Sequence, residues 1–204
     1  CILMAGCTDT KSRSTGVYML LDTSGTYAVE LKKAQLILNY LLGVLAPGDT
    51  LAVARIDTGS FSEKDIIAKV TFDNRPSVAN NQKRAFMKQL ETFVTSVKGS
   101  PYTDISGGIL QAIEYLNEAE SGQKYILIFS DLKEELAKGY KRDSPFQLPD
   151  YNVIALNVTK LRGDNMDPKE YLSRVEDWRS KVENGGGEWG MINDLERLDN
   201  IFAN

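Results

Sequence analysis

Several short stretches of this chain are apolar at nearly every position, with no alternation between inside and outside. Residues 17–22 (Val-Tyr-Met-Leu-Leu-Asp), 50–57 (Thr-Leu-Ala-Val-Ala-Arg-Ile-Asp), 125–131 (Tyr-Ile-Leu-Ile-Phe-Ser-Asp) and 152–158 show the pattern. A strand with one wet face alternates with a period of two, so a strand without alternation has both faces covered. Between these runs apolar residues recur at three- and four-residue spacing, which predicts amphipathic helices. In 29–45 they are Ala34, Ile37, Leu38, Leu41, Leu42 and Leu45, and Pro47-Gly48 ends that helix. In 77–97 they are Phe86, Met87, Leu90, Phe93 and Val94; after Thr103-Asp104 they are Ile105, Ile109, Ala112, Ile113 and Leu116. Asp167-Pro-Lys-Glu170 is a helix start, with a capping residue and proline at the first helical position, and Gly185-Gly-Gly187 is its end. Residues 68–72 and 188–191 read as short strands, 133–150 as a charged surface excursion and 193–202 as a closing helix. Doubly covered strands alternating with helices define an α/β fold: a doubly wound, mainly parallel sheet with helices on both faces.

Composition narrows the chemistry. The 204 residues, 42% of them hydrophobic, suffice for one domain, read here as 16–204 behind a short segment 1–15. Net charge is −4 with no basic stripe, which argues against a nucleic-acid partner. Histidine is absent, which removes Ser-His and Cys-His catalysis and most zinc sites. The two cysteines, Cys1 and Cys7, both lie at the start. Cys1-Ile-Leu-Met-Ala-Gly-Cys7, followed by polar Thr8-Asp9-Thr10, resembles the lipobox of bacterial lipoproteins, with Met4 where leucine is commoner. That resemblance implies lipid attachment at Cys7 and a place in the bacterial cell envelope, on the periplasmic face of the outer membrane in a Gram-negative host. Asn157-Val-Thr159 matches a glycosylation sequon that has no meaning in such a protein.

Three polar elements fall where an open α/β sheet binds ligands, beyond the carboxyl ends of its strands. They are Asp22-Thr-Ser-Gly-Thr26, Thr103-Asp104 and Ser130-Asp131. Asp22 and Asp131 bring two negative charges; Ser24, Thr26 and Thr103 bring neutral oxygens. Hard divalent cations take such donors, and octahedral Mg²⁺ keeps waters that an outside ligand can replace. Each hydroxyl taken alone reads as a helix cap. Asp57 and Asp104 stand as rim or outer residues, Asp104 reading first as the start of the helix that follows, and Gly107 and Gly108 as places of close helix–sheet packing.

The three loops resemble the von Willebrand factor type A (vWA) domain and its metal-ion-dependent adhesion site. That family shows Asp-x-Ser-x-Ser in a first loop, threonine in a second and aspartate in a third. Asp22, Ser24 and Thr26 match the first, Thr103 the second and Asp131 the third; Thr26 replaces serine, and Leu132 stands where glycine is usual. The resemblance implies a bound Mg²⁺ (or Mn²⁺ or Ca²⁺), held by these five residues and completed by an Asp or Glu carboxylate of a partner protein. It implies a binding module rather than an enzyme. Two other readings stand beside it: a metal-free scaffold whose loops only cap helices, and a metal-assisted hydrolase using Asp104 or Glu134 as base.

Overall fold

The computed structural model describes residues 13–24, 30–57, 62–161, 164 and 167–202. Cys7, and with it the lipobox-like segment, lies outside the described residues, as does Thr26. The strands are β1 (Thr15–Leu21), β2 (Thr50–Arg55), β3 (Ile66–Thr71), β4 (Gln123–Phe129), β5 (Tyr151–Leu156) and β6 (Glu188–Ile192). The helices are α1 (Leu31–Val44), α2 (Pro76–Ser96), α3 (Ile105–Glu118) and α4 (Pro168–Asn184). The closing helix expected over 193–202 is a 3₁₀ helix, Leu195–Ile201.

One six-stranded sheet runs in the order β3-β2-β1-β4-β5-β6. All neighbours are parallel except β3, which pairs antiparallel with β2 at the edge. The uninterrupted apolar runs are explained by two cores, one on each face. Val17, Met19 and Leu21 of β1 join Leu51 and Val53, Leu127 and Phe129, and Ile154 and Leu156 under α1, α2 and the 3₁₀ helix. The intervening Tyr18 and Leu20 join Ala52, Ala54, Ile126, Ile128, Val153 and Ala155 under α3 and α4. Each strand thus shares its residues between two cores with the period of the pleat.

The segment between β4 and β5 departs from its expected surface role. Phe146 and Leu148 are buried in the core beneath α3 and α4. Asn157 falls just past β5 in the left-handed region, φ 51°, and its amide donates to Glu30 Oε2 at the start of α1. Among the described residues no helix is long and apolar enough to cross a membrane.

The two paired glycines of α3 do different things. A Cβ on Gly108 would come within 2.8 Å of Leu20 Cδ2 and 2.9 Å of Ile56 Cγ2, so the helix lies directly on the sheet there. A Cβ on Gly107 would instead meet the Asp104 carboxylate at 2.5 Å. Gly43, exposed on α1, has open space. Helix propensity favours alanine at all three. Urea unfolding is expected to show Gly43→Ala stabilised by about 0.5–1 kcal/mol and Gly108→Ala destabilised by about 1–3 kcal/mol.

Candidate metal centre

The register of three strands sets the site. Leu21 is paired with Phe129 on one side and with Arg55 on the other. The next residue, Asp22, therefore emerges level with Ser130, at the point where strand order reverses from β1 toward β2 on one side and β4 on the other. The Asp22 amide donates to the Phe129 carbonyl at 2.9 Å. The Ser130 hydroxyl donates to Asp22 Oδ2 at 2.6 Å, and the Ser24 amide to Asp22 Oδ1 at 2.8 Å.

The other loops close on this pair. Ser24 forms an isolated parallel bridge with Ser100, and Thr103 an antiparallel bridge with Glu135. A cavity of about 270 Å³ lies between them, lined by Ser24, Ser100, Pro101, Thr103, Asp131, Lys133, Glu135 and Leu161. A larger depression of about 790 Å³, beside Gly48, Phe72 and Arg75, lies at the opposite end of the sheet and holds none of these residues. Of the five ligands expected from sequence, Ser24, Thr103 and Asp131 line one cavity, and Asp22 is fully buried and bound to Ser24 behind it.

Neither Ser24 nor Thr103 is the cap of α1 or α3. The residue preceding α1 is Glu30, six positions beyond Ser24, and it makes no side-chain cap. The cap of α3 is Asp104, whose side chain accepts from the Gly107 amide at 2.8 Å. Asp104 is fully buried and also ion-paired with Arg142, so it faces α3 rather than the cavity. Glu134 likewise serves α3, accepting from the Ser106 amide at 2.7 Å and the Ser106 hydroxyl at 3.1 Å. Asp57, buried beside Arg55 Nε at 3.4 Å, is near enough to Asp22 for its charge to disfavour Asp22 ionisation.

The electrostatics are those of negative charge in excess. Burial raises the Asp22 carboxyl above its usual range, against hydrogen bonds from Ser130 and Ser24 that lower it. Asp131 is pushed up to about 6, first by burial and then by the charge of Asp22, against the Lys133 amide and the charges of Arg174 and Lys133. Two carboxylates driven toward protonation by desolvation and by the charge of a neighbouring carboxylate, Asp57 for Asp22 and Asp22 for Asp131, are what a +2 cation would relieve. Among the described residues no three His, Cys, Asp or Glu side chains converge. The remaining donors are hydroxyls, a set that suits a hard cation and not a soft one.

Leu132 takes the left-handed conformation, φ 65°, which favours glycine. Its side chain is only 1% exposed, and its carbonyl accepts from Trp178 Nε1 at 2.9 Å. Strain of about 1–2 kcal/mol is set against burial of a leucine worth a similar or larger amount. The backbone geometry at Asp131 is thereby kept without glycine. Arg174 adds a second hold, donating from Nε to the Asp131 carbonyl at 2.9 Å. Sequence patterning gave no sign of the contacts that Arg142, Arg174 and Trp178 make with Asp104, Asp131 and Leu132, because each runs across more than 35 residues.

With sheet order and site in place, the fold is that of the von Willebrand factor type A domain. No protein-family model and no curated protein matches the sequence. Solved structures do. The chain is similar to a von Willebrand factor type A protein from Catenulispora acidiphila at 15% identity and a TM-score of 0.60, over 94% of this chain and 41% of that one. It is similar to the pilus adhesin SpaC from Lactobacillus rhamnosus GG at 9% identity and a TM-score of 0.55, over 93% and 29%. It is similar to an aerotolerance-related membrane protein from Bacteroides fragilis at 14% identity and a TM-score of 0.50, over 92% and 96%. The chain thus spans about two fifths of the Catenulispora protein and less than a third of the adhesin.

A pH dependence follows from Asp131. Its folded pKa is raised from 3.8 to about 6, so its contribution is fully present when both states are protonated, below about pH 4, and is lost as pH rises through about 6. Metal-free protein is expected to lose stability over that window by urea unfolding in EDTA. Asp131→Asn should flatten the slope and be more stable at pH 7 by about 1–3 kcal/mol. A slope of the same sign should remain from Asp22, whose pKa is also raised.

Proposed function

We propose that the chain is a divalent-metal-dependent, adhesion-type protein-binding module. The observation that carries this reading is the pair of buried carboxylates, Asp22 and Asp131, both with raised pKa, at the switch point of the sheet beside Ser24 and Thr103. Asp22, Ser24, Thr103 and Asp131, with Thr26 from the same first loop, would hold Mg²⁺, or Mn²⁺ or Ca²⁺ in its place. The ion supplies an electrophilic position open to an outside oxygen ligand. An Asp or Glu carboxylate of a partner protein is the matching donor, and the likeness to a pilus adhesin fits that role. A lipid at Cys7 would hold the module to a membrane of the bacterial envelope, and the likeness to a Bacteroides membrane protein is in keeping with that location. Binding rather than catalysis is favoured because Asp104 and Glu134, the two bases the sequence offered a hydrolase, are committed to the start of α3.

A metal-free scaffold is the second reading. It is favoured by Lys133, which lines the cavity and whose charge lowers the Asp131 pKa, supplying part of the neutralisation a cation would give.

Calorimetric titration with Mg²⁺, Mn²⁺ and Ca²⁺ separates the two. The metal reading expects saturable binding to the wild type and none to Asp22→Ala. At a hundredfold excess over Kd, the ion should stabilise the fold by about 2.7 kcal/mol. A melting temperature indifferent to both EDTA and Mg²⁺ supports the scaffold instead. Capture of an acidic partner that survives EDTA would separate partner binding from the ion.

A further inference from the structure

We propose that Arg142 and Glu134 are positioning residues for the cation site: they hold the start of α3 so that the Thr103 hydroxyl stays at the ion, and they set metal affinity without touching the metal. This rests on the cation reading above.

Thr103 has no strand of its own. It lies between α2 and α3, and its backbone is fixed by two hydrogen bonds to Glu135, 2.8 Å from its amide and 2.9 Å to its carbonyl. The neighbouring residues are fixed by the same distant segment. The Asp104 carboxylate receives Arg142 in a two-pronged contact, 3.2 Å from Nε and 2.8 Å from the terminal nitrogen. Ser106 gives its amide and hydroxyl to the two oxygens of Glu134. Three of the four residues 103–106 are therefore gripped by residues 134, 135 and 142, and that grip begins three residues beyond Asp131.

Capping alone does not call for this arrangement. The Gly107 amide already meets the Asp104 side chain, as any aspartate cap requires. Arg142 comes from 38 residues away, and with its side chain 24% exposed it forms a largely desolvated, geometrically specific ion pair. The consequence is that the loops supplying Thr103 and Asp131 are not independent: one continuous segment carries Asp131 at its start and fastens Thr103 a few residues later. Small octahedral cations tolerate little error in donor position, and residues that orient ligands in this way change metal affinity about 10–100-fold when altered.

The test is Mg²⁺ titration by calorimetry on the full chain, with amide hydrogen exchange on the metal-free protein. Arg142→Gln leaves the Asp104 charge buried and risks unfolding, so Glu134→Gln and the double variant Asp104→Asn/Arg142→Gln accompany it. The double variant removes both charges and keeps an asparagine cap. The expected result is Mg²⁺ affinity at least 10-fold weaker in each folded variant, with faster exchange at the Thr103 and Glu135 amides and an unchanged far-ultraviolet spectrum. Arg142→Lys, which keeps the charge without the fork, should recover only part of the affinity. Unchanged Mg²⁺ affinity in Glu134→Gln and the double variant, whatever their loss of thermal stability, overturns the positioning role and leaves the cation reading standing. A wild type that takes up no Mg²⁺ overturns the cation reading, and this inference with it.

Discussion

The parallel pairing of β1 with two neighbours at once is the constraint on which the rest depends. Leu21 is held level with Phe129 and Arg55, so Asp22 has no choice of position when the strand ends. It leaves the sheet where the crossovers diverge, with its amide on the Phe129 carbonyl and its carboxylate under the Ser130 hydroxyl. A one-residue slip of β1 would exchange Tyr18 and Leu20 for Val17, Met19 and Leu21 between the two cores. It would also remove the carboxylate from its partner. The packing that stabilises the sheet and the placement of the first acidic group are thus the same interaction.

Burying Asp22 and Asp131 is a cost that the sheet's two cores must carry. Desolvation disfavours both charges, and each is disfavoured further by the other or by Asp57. Hydrogen bonds from Ser24, Ser130 and the Lys133 amide offset part of this cost and leave a surplus of negative charge at the cavity. Around that surplus the backbone is held from outside: Trp178 and Arg174 of α4 grip the carbonyls of Leu132 and Asp131. The β4–β5 segment grips the start of α3. A strained Leu132 between the two grips is tolerable because its side chain is fully packed.

Much of this was readable beforehand, and for a definite reason. Strand and helix positions follow from local apolar spacing, which burial on two faces imposes directly on the sequence. The Asp167 cap with Pro168 marked the start of α4 to the residue. Asp22 and Asp131 stood out because they end apolar runs, and Thr103 because it stands just ahead of the apolar stripe of α3. The β4–β5 segment misled for the complementary reason: it is charged and proline-bearing, yet Phe146 and Leu148 are buried. Two isolated apolar residues have no period to reveal them.

By itself, then, the sequence determined the sheet, its covering on both faces, and the loops that hold oxygen donors, since each depends on residues close together along the chain. Only the tertiary structure decided that Glu134 serves α3 rather than the cavity, and that Arg142 fastens the Asp104 cap. It alone showed that Ser24 meets Ser100 instead of capping α1, and that Leu132 can occupy a conformation that favours glycine. Those outcomes turn on partners such as Arg142 and Trp178, brought across 38 and 46 residues by the packing of the core. No local pattern encodes them.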